Sequence, residues 1–197
     1  MFKKIILAAV LAATASFAQI NFGAHLGLGL STLWGDEVYS EDFGSGFSFQ
    51  VGGAAKITLP ALPVTLAPEI LVDMRNTSQD YNGHEFAISE WAIDIPVLVR
   101  ISAMPILFIE AGPQLSINAS TYSDEIVNVS IEDVWDFNVA EFDVVVGAGT
   151  TAVPFVDLDF RVIIGLTNWI SESKVIKGED APELSNLQFA LGATYWF

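Results

Sequence analysis

The stretch from Leu187 to Phe197 reads LQFALGATYWF, and it decides the fold. Apolar side chains occupy every second position of this stretch, while Gln188, Gly192 and Thr194 lie between them. An alternation with a period of two is typical of a β-strand that has one apolar face and one polar face. The stretch therefore predicts a β-strand whose two faces lie in different environments, one apolar and one polar.

Seven more segments repeat this alternation, so the sequence predicts eight strands. The eight segments are 20–30, 47–59, 64–75, 91–101, 107–117, 142–149, 156–167 and 187–197. Each has one face of aliphatic and aromatic side chains and one face of polar or small ones. None of the eight apolar faces carries a charged residue.

Two kinds of connection alternate between these segments. Three are short and contain proline, at 59–64, 102–106 and 151–155. Four are long and polar, at 31–46, 76–90, 118–137 and 168–186. Short turns at one end and long loops at the other describe an antiparallel meander, and eight such strands close into a small barrel.

The N-terminus predicts a secretory signal peptide. Lys3 and Lys4 precede an apolar run at 5–15, and small residues come before Gln19. We therefore divide the chain into a signal peptide at 1–18 and a barrel domain at 19–197. The absence of cysteine excludes disulfide and thiolate sites. A formal net charge of −16 makes nucleic acid an unsuitable partner, because phosphate binding needs clustered Lys and Arg.

The composition of the two faces predicts which one is outside. The polar face is rich in small residues such as Ala54, Gly112 and Gly147, which suit the narrow lumen of an eight-stranded barrel. Its charges are few and of both signs, whereas a water-facing surface carries about 25–35% charged residues. The charge-free face is aliphatic with aromatic residues near both ends, as on the outer wall of a membrane barrel. The predicted aromatic girdle is Phe22, Phe47, Trp91, Phe142, Tyr195 and Phe197.

The predicted fold is therefore all-β: an eight-stranded antiparallel up-and-down transmembrane β-barrel with short periplasmic turns and long extracellular loops. Closure of the sheet is required, because an unpaired backbone group in hydrocarbon costs several kcal/mol. The alternative is a soluble periplasmic lipid-binding barrel, which has the opposite face in water.

The inward face holds a predicted network of paired charges, since unpaired charges are costly to bury. Its members are Lys56, Glu69, Asp73, Arg75, Asp94, Arg100, Glu110, Asp143, Asp157, Asp159 and Arg161. Hairpin register predicts three pairs: Arg161 with Asp143, Arg100 with Glu110, and Lys56 with Glu69. We interpret the network mainly as a polar plug, and a cation-selective path is the alternative.

The sequence predicts no enzyme, cofactor or metal site. His84 lies in a long connection with Ser78, Asp80 and Ser89, but their spacing identifies no triad. The acidic residues of the long connections match no EF-hand pattern. They predict a solvated, negatively charged extracellular surface.

Five stretches resemble the PorT-like outer-membrane β-barrel domain family among bacterial outer-membrane eight-stranded β-barrels. They are IDIPVLVR (93–100), FIEAGPQLS (108–116), VVGAG (145–149), DFRVIIGLTNW (159–169) and GATYWF (192–197). The resemblance implies an integral protein of the bacterial outer membrane, reached after secretion across the inner membrane. Some members are linked to protein secretion, but no residue identified here would carry that role. Tyr195 and Phe197 resemble the signal that the barrel assembly machinery reads during biogenesis.

The function expected from these observations is structural or surface-interacting and non-enzymatic. The expected partners are outer-membrane lipids and lipopolysaccharide, with the assembly machinery during biogenesis. The sequence does not identify a surface or secretion partner. The alternatives are a narrow cation-preferring pore, a secretion-associated barrel as in some PorT-like proteins, and the soluble lipid-binding barrel.

Overall fold

The structure is a computed structural model of the chain. It describes residues 19–35, 43–58, 64–81, 84–123, 135–168, 170–173 and 184–197. The predicted signal peptide and the acidic segments 36–42 and 124–134 lie outside the described residues. Among the described residues, no helix is long and apolar enough to span a membrane.

Ten strands make up the described part of the chain. In chain order they are β1 (Gln19–Gly35), β2 (Phe43–Thr58), β3 (Val64–Tyr81), β4 (His84–Met104), β5 (Leu107–Ser123), β6 (Trp135–Phe137), β7 (Ala140–Val153), β8 (Val156–Gly165), β9 (Ile170–Ser173) and β10 (Leu184–Trp196). Eight of them form a closed antiparallel barrel in the order β1-β10-β8-β7-β5-β4-β3-β2, which confirms the predicted eight-stranded up-and-down barrel. Strands β6 and β9 form a separate two-stranded sheet.

Pairing of the first and last strands closes the barrel. Strand β1 pairs with β10 from Gly23 opposite Trp196 to Gly35 opposite Leu184. The same β1 strand pairs with β2 along its other edge. The sheet therefore has no open edge along β1 or β10, and their backbone groups bond within the protein.

The predicted long connections are shorter than expected, because the strands continue into them. The prediction of a loop at 76–90 is wrong. Strand β3 runs to Tyr81 and β4 begins at His84, and the two strands pair continuously from Arg75 opposite Glu90 to Tyr81 opposite His84. Strand β5 likewise continues to Ser123. Apolar alternation ends where the predicted apolar wall ends, but backbone pairing does not need an apolar face and so continues beyond it. The small β6–β9 sheet was not predicted either.

The two faces of the barrel have the predicted orientation. Outward side chains are apolar and exposed, with Leu191 at 67% and Ile70 at 63%. Inward side chains include fully buried carboxylates, with Asp73, Asp94 and Asp143 at 0%. This arrangement is the reverse of what a soluble lipid-binding barrel requires, in which the apolar face lines the interior.

The girdle residues all project from the outer face. Phe22, Tyr195 and Phe197 lie at the short-turn end, where the rings of Tyr195 and Phe197 meet edge to face with centroids 5.6 Å apart. Phe47 and Phe142 lie toward the long-loop end. Trp91 of β4 is also exposed, toward the same long-loop end as Phe47 and Phe142. Their role as an interfacial girdle stays a prediction, as does the assembly signal at Tyr195 and Phe197.

Candidate functional site

The lumen of the barrel gathers the polar chemistry of the described strands. Ten of the eleven predicted network residues are buried, and the side chain of Lys56 is 24% exposed at the short-turn end. They occupy alternate positions on β2, β3, β4, β5, β7 and β8, so the period of two turns all of them inward. The network divides into two groups along the barrel axis.

Arg161 of β8 is the centre of the group near the short turns. Its guanidinium donates to both oxygens of Glu69, from Nη1 at 2.7 Å and from Nη2 at 2.9 Å. Its Nε donates to Glu110 Oε1 at 2.8 Å and lies 2.9 Å from Asp159 Oδ1. The fork of Arg161 thus spans the lumen from β8 to β3, a bidentate geometry that Lys cannot reproduce.

The predicted pairing of Arg161 with Asp143 is wrong. Register places Gly147 opposite Arg161 and Gly165 opposite Asp143, so the two charges are four residues apart along β7 and β8. Asp143 Oδ2 instead accepts hydrogen bonds from Ser116 Oγ at 2.6 Å and from Gln114 at 3.0 Å.

Arg100 extends the same group around the wall. The predicted Arg100–Glu110 pair is present, with Nε donating to Oε2 at 2.6 Å. Arg100 Nη1 also donates to Asp157 at 3.0 Å. The predicted Lys56–Glu69 pair is wrong, because the Lys56 ammonium crosses the lumen mouth to Asp157, 2.8 Å away.

Arg75 of β3 is the centre of the group near the long loops. Its Nη2 donates to both oxygens of Asp94 at 2.9 Å, and its Nε donates to Asp73 at 2.7 Å. Glu90 and Glu141 lie at 3.5 Å and 3.8 Å from Nη1. One guanidinium therefore faces four carboxylates, all of them buried.

Sequence reasoning missed Glu90 and Glu141 as members of this group. Glu90 lies directly opposite Arg75 in the β3–β4 ladder, and Glu141 is two positions from the inward Asp143. Both fell inside segments predicted as loop or loop boundary, so the inward alternation was not extended to them. Glu141 is held by amides, accepting from Asn118 at 2.7 Å and from Asn186 at 2.7 Å.

An apolar layer separates the two charged groups. On β4 Leu98 lies between Asp94 and Arg100, and on β3 Leu71 lies between Glu69 and Asp73. The buried residues Ala67, Leu98, Val145, Ile163 and Ala190 form one contact cluster. Each ion pair given above joins residues of one group only, and buried apolar side chains lie between the two groups on β3 and β4.

Aromatic rings border the short-turn end of the lumen. Trp196 is the inward neighbour of Tyr195, and its indole is buried. Lys56 Nζ lies 4.5 Å from the centroid of the Trp196 ring, and the Arg100 guanidinium lies 4.8 Å from the centroid of Phe108. Cation–π attraction of this kind holds rings against charges in partly desolvated sites. The alternation of the last strand could have identified Trp196 as inward.

A glycine makes room for the Arg161–Glu110 contact. A Cβ built at Gly147 would lie 3.2 Å from Cγ of Arg161 and 3.2 Å from Cγ of Glu110. The same Cβ would lie 2.8 Å from the carbonyl oxygen of Phe160, so a larger residue at 147 would force the backbone or these side chains to shift. The small residues on the inward face thus make space for long charged side chains.

The arrangement provides structural interactions and no recognisable catalytic constellation in the described lumen. His25 is buried on β1, and its Nδ1 lies 2.8 Å from Thr194 Oγ1 of β10, a contact that ties the closing strands together. No group of three His, Asp or Glu side chains among the described residues is arranged to hold a metal ion. The side chain of His84 lies outside the description.

Comparison with known proteins places this architecture among membrane barrels. The model of the family described as "Outer membrane protein beta-barrel domain" matches residues 15–171. The crystal structure of Neisserial surface protein A is similar, with a TM-score of 0.55 and 14% identity over 89% of this chain and 97% of that chain. A major outer membrane protein from Thermus thermophilus has a TM-score of 0.50 and 15% identity over 90% and 99% of the two chains.

A third similar structure is Ail, the attachment invasion locus protein of Yersinia pestis, in complex with the heparin analogue sucrose octasulfate. It has a TM-score of 0.48 and 13% identity over 91% of this chain and 99% of that chain. No curated relative matches the sequence significantly. At these identities the first two structures support the barrel fold alone.

Arg161 holds three buried carboxylates, so the loss of its guanidinium should destabilise the barrel. We expect Arg161→Met to lower the free energy of unfolding by about 3–5 kcal/mol, because buried carboxylates lose their counter-charge. Urea titration of the barrel refolded into phosphatidylcholine vesicles measures this change.

The double variant Arg161→Met with Glu69→Gln is the matched control. It removes the charge that the guanidinium held in a bidentate pair, so it should recover part of the lost stability. Equal stability of Arg161→Met and the unmodified protein would contradict the account. A double variant no more stable than the single one would contradict it as well.

Proposed function

Because the chain belongs to the family of outer membrane protein β-barrel domains and lies in the bacterial outer membrane, we propose that it is a non-enzymatic barrel whose work is done at the cell surface. In this proposal the barrel is a closed anchor that displays acidic extracellular loops. Its role is structural or surface-interacting, and its lumen does not conduct.

The filled lumen is the observation that carries this proposal. Arg161 and Arg75 each bridge several strands through ion pairs, and the layer around Leu98 and Ile163 lies between them. At the short-turn end, Trp196 and Lys56 occupy the mouth. Lumens of eight-stranded barrels are just wide enough for side chains to fill, so little continuous path is left for ions.

The acidic extracellular segments supply the proposed surface chemistry. Residues 36–42 read DEVYSED and residues 124–134 read DEIVNVSIEDV, each with four acidic residues and no basic one. Clustered negative charges attract cationic partners and repel anionic ones within about 8–10 Å at physiological salt. The sequence also has two aromatic residues, Tyr39 and Tyr122, in or beside these segments.

Two narrower alternatives follow from other observations. The described lumen holds nine carboxylates, including Glu90 and Glu141, against four cationic side chains, which would favour cations if a path existed. The PorT-like resemblance would suggest a secretion-associated barrel instead. The filled lumen favours the surface role over the pore, and no described residue supplies a feature particular to secretion.

Planar bilayer recording separates the closed anchor from the cation pore. We expect the purified barrel to give no unitary conductance steps in concentrated potassium chloride, because ion pairs and buried apolar side chains occupy the lumen above its short-turn mouth. A general porin inserted under the same conditions controls for insertion. Reproducible cation-selective steps from the barrel would contradict the proposal and support the pore.

Photo-cross-linking on intact cells tests the surface role. A benzophenone amino acid placed at Tyr39 or Tyr122 should form adducts with surface molecules. The adducts at Tyr39 should weaken when Asp36, Glu37, Glu41 and Asp42 are changed to their amides. The same photoreactive residue at Tyr195, at the opposite end of the barrel, is the matched control.

Adducts at Tyr195 with none at the two loop positions would contradict the surface role and favour a periplasmic, secretion-linked one. Adducts at Tyr39 that do not change after neutralisation would contradict the acidic basis of recognition.

A further inference from the structure

The two short turns that the structure describes end in exposed apolar side chains. In the turn from β4 to β5, Ile106 is 52% exposed, and in the turn from β7 to β8, Phe155 is 72% exposed. Met104 and Val153, at the ends of the adjoining strands, are also exposed. Turns that project into water are normally built of polar residues, so this composition needs a physical reason.

The two turns form one continuous rim. The backbone N–H of Thr151 donates to the carbonyl of Ile106 at 2.9 Å, and Thr150 Oγ1 donates to the same carbonyl at 2.8 Å. These bonds hold the tips of the two hairpins side by side. Their apolar side chains therefore form one surface and not two separate tips.

Charge is absent from all three short-turn regions of the sequence. Residues 57–68, 101–109 and 144–156 contain no Asp, Glu, Lys or Arg. The long-loop end has the opposite composition, with four acidic residues in 36–42 alone. Moving a charged side chain from water into a membrane costs free energy, and a turn without charged residues does not incur this cost.

The charged groups at this end of the barrel are turned into the lumen instead. Lys56 bonds to Asp157 at 2.8 Å and lies over the buried ring of Trp196. Together with Asn21 they line a cavity of about 280 Å³ at the lumen mouth. Thr151, Val153, Pro154 and Phe155 of the β7–β8 hairpin border the same cavity, so the charged groups of this end lie inside the mouth and the rim residues lie at its edge.

Phe155 also has an unusual backbone conformation. Its φ is 62°, the one positive φ among non-glycine residues of the described chain. Its carbonyl accepts a hydrogen bond from the backbone N–H of Trp196 at 2.8 Å, which fixes the turn against the last strand. The left-handed region disfavours a bulky side chain, yet an aromatic ring stands at this exposed position.

The rim is continuous with the apolar outer wall of the barrel. Phe22, Tyr195 and Phe197 are exposed on the outer face at the same end, and Leu107 joins the β4–β5 turn to that face. The wall contacts membrane lipid in an outer-membrane barrel. The rim has the same chemistry as the wall and adjoins it without a charged boundary.

We propose that the rim of the short turns is inserted into the periplasmic leaflet of the outer membrane, with Ile106 and Phe155 below the level of the lipid phosphates. The partner of this surface is the boundary between phospholipid headgroups and acyl chains. The barrel is therefore set deep in the membrane at its periplasmic end and projects at its extracellular end.

Spin-label accessibility tests this placement, and the absence of cysteine from the chain allows single labels. Labels are attached to Ile106→Cys and Phe155→Cys in barrels folded into vesicles of phosphatidylethanolamine and phosphatidylglycerol. Val146→Cys on the outer wall is the lipid control, and Asn21→Cys at the lumen mouth is the aqueous control. Power saturation measures collisions with oxygen, which concentrates in lipid, and with a nickel chelate, which stays in water.

We expect the ratio of oxygen to nickel collisions at 106 and 155 to lie nearer the value at 146 than the value at 21. A label at Val153→Cys, which leaves Phe155 in place, should give the same result. Ratios at 106, 153 and 155 that equal the aqueous control in vesicles would overturn the proposal. Nickel exclusion in native envelopes but not in vesicles would also overturn it, because a periplasmic protein would then cover the rim.

Discussion

The structure depends on one constraint, which is that hydrocarbon satisfies neither a backbone hydrogen bond nor a charge. Pairing of β1 with β10 satisfies the backbone hydrogen bonds, because it leaves no open edge on either strand. Placing the ionised side chains in the lumen keeps the charges out of the hydrocarbon. Both arrangements follow from the period of two along each strand, because a strand that turns aliphatic side chains to lipid turns the intervening residues inward.

The inward residues then have to satisfy one another. Arg161 and Arg75 do so by bridging strands that are distant in sequence, such as β3 and β8. Removing one partner of a buried pair leaves an uncompensated charge, whereas a register slip of one residue would place the whole set in lipid. We interpret the two charged groups as devices that fix register, and the apolar layer around Leu98 as the packing between them. The same filling supports the proposed role of the barrel as a closed anchor.

The sequence predicted the parts of this structure that follow from a local period. Strand number, the inward and outward faces and the burial of residues such as Asp94 are local properties of alternation. Loop boundaries at Glu90 were wrong because backbone pairing outlasts the apolar pattern. The Lys56 and Arg161 partners were wrong because long side chains cross the lumen, and only the closed barrel brings β2 and β3 near β8. Of the predicted pairs, Arg100–Glu110 is present because the two residues lie directly opposite each other in the β4–β5 ladder. The other two predicted pairs are offset along their ladders, by two positions for Lys56 and Glu69 and by four for Arg161 and Asp143.

The central claim is that adjacent residues of one strand face lipid and lumen in turn, and neighbouring methyl groups can test it without mutation. Val162 and Val146 project outward, whereas Ile163 and Val145 are buried in the lumen. Nuclear Overhauser contacts between these methyl groups and the acyl chains of a lipid nanodisc measure the difference directly. The account predicts acyl contacts at Val162 and Val146 and none at Ile163 and Val145. Acyl contacts at Ile163 and Val145, with water contacts at Val162 and Val146, would contradict it.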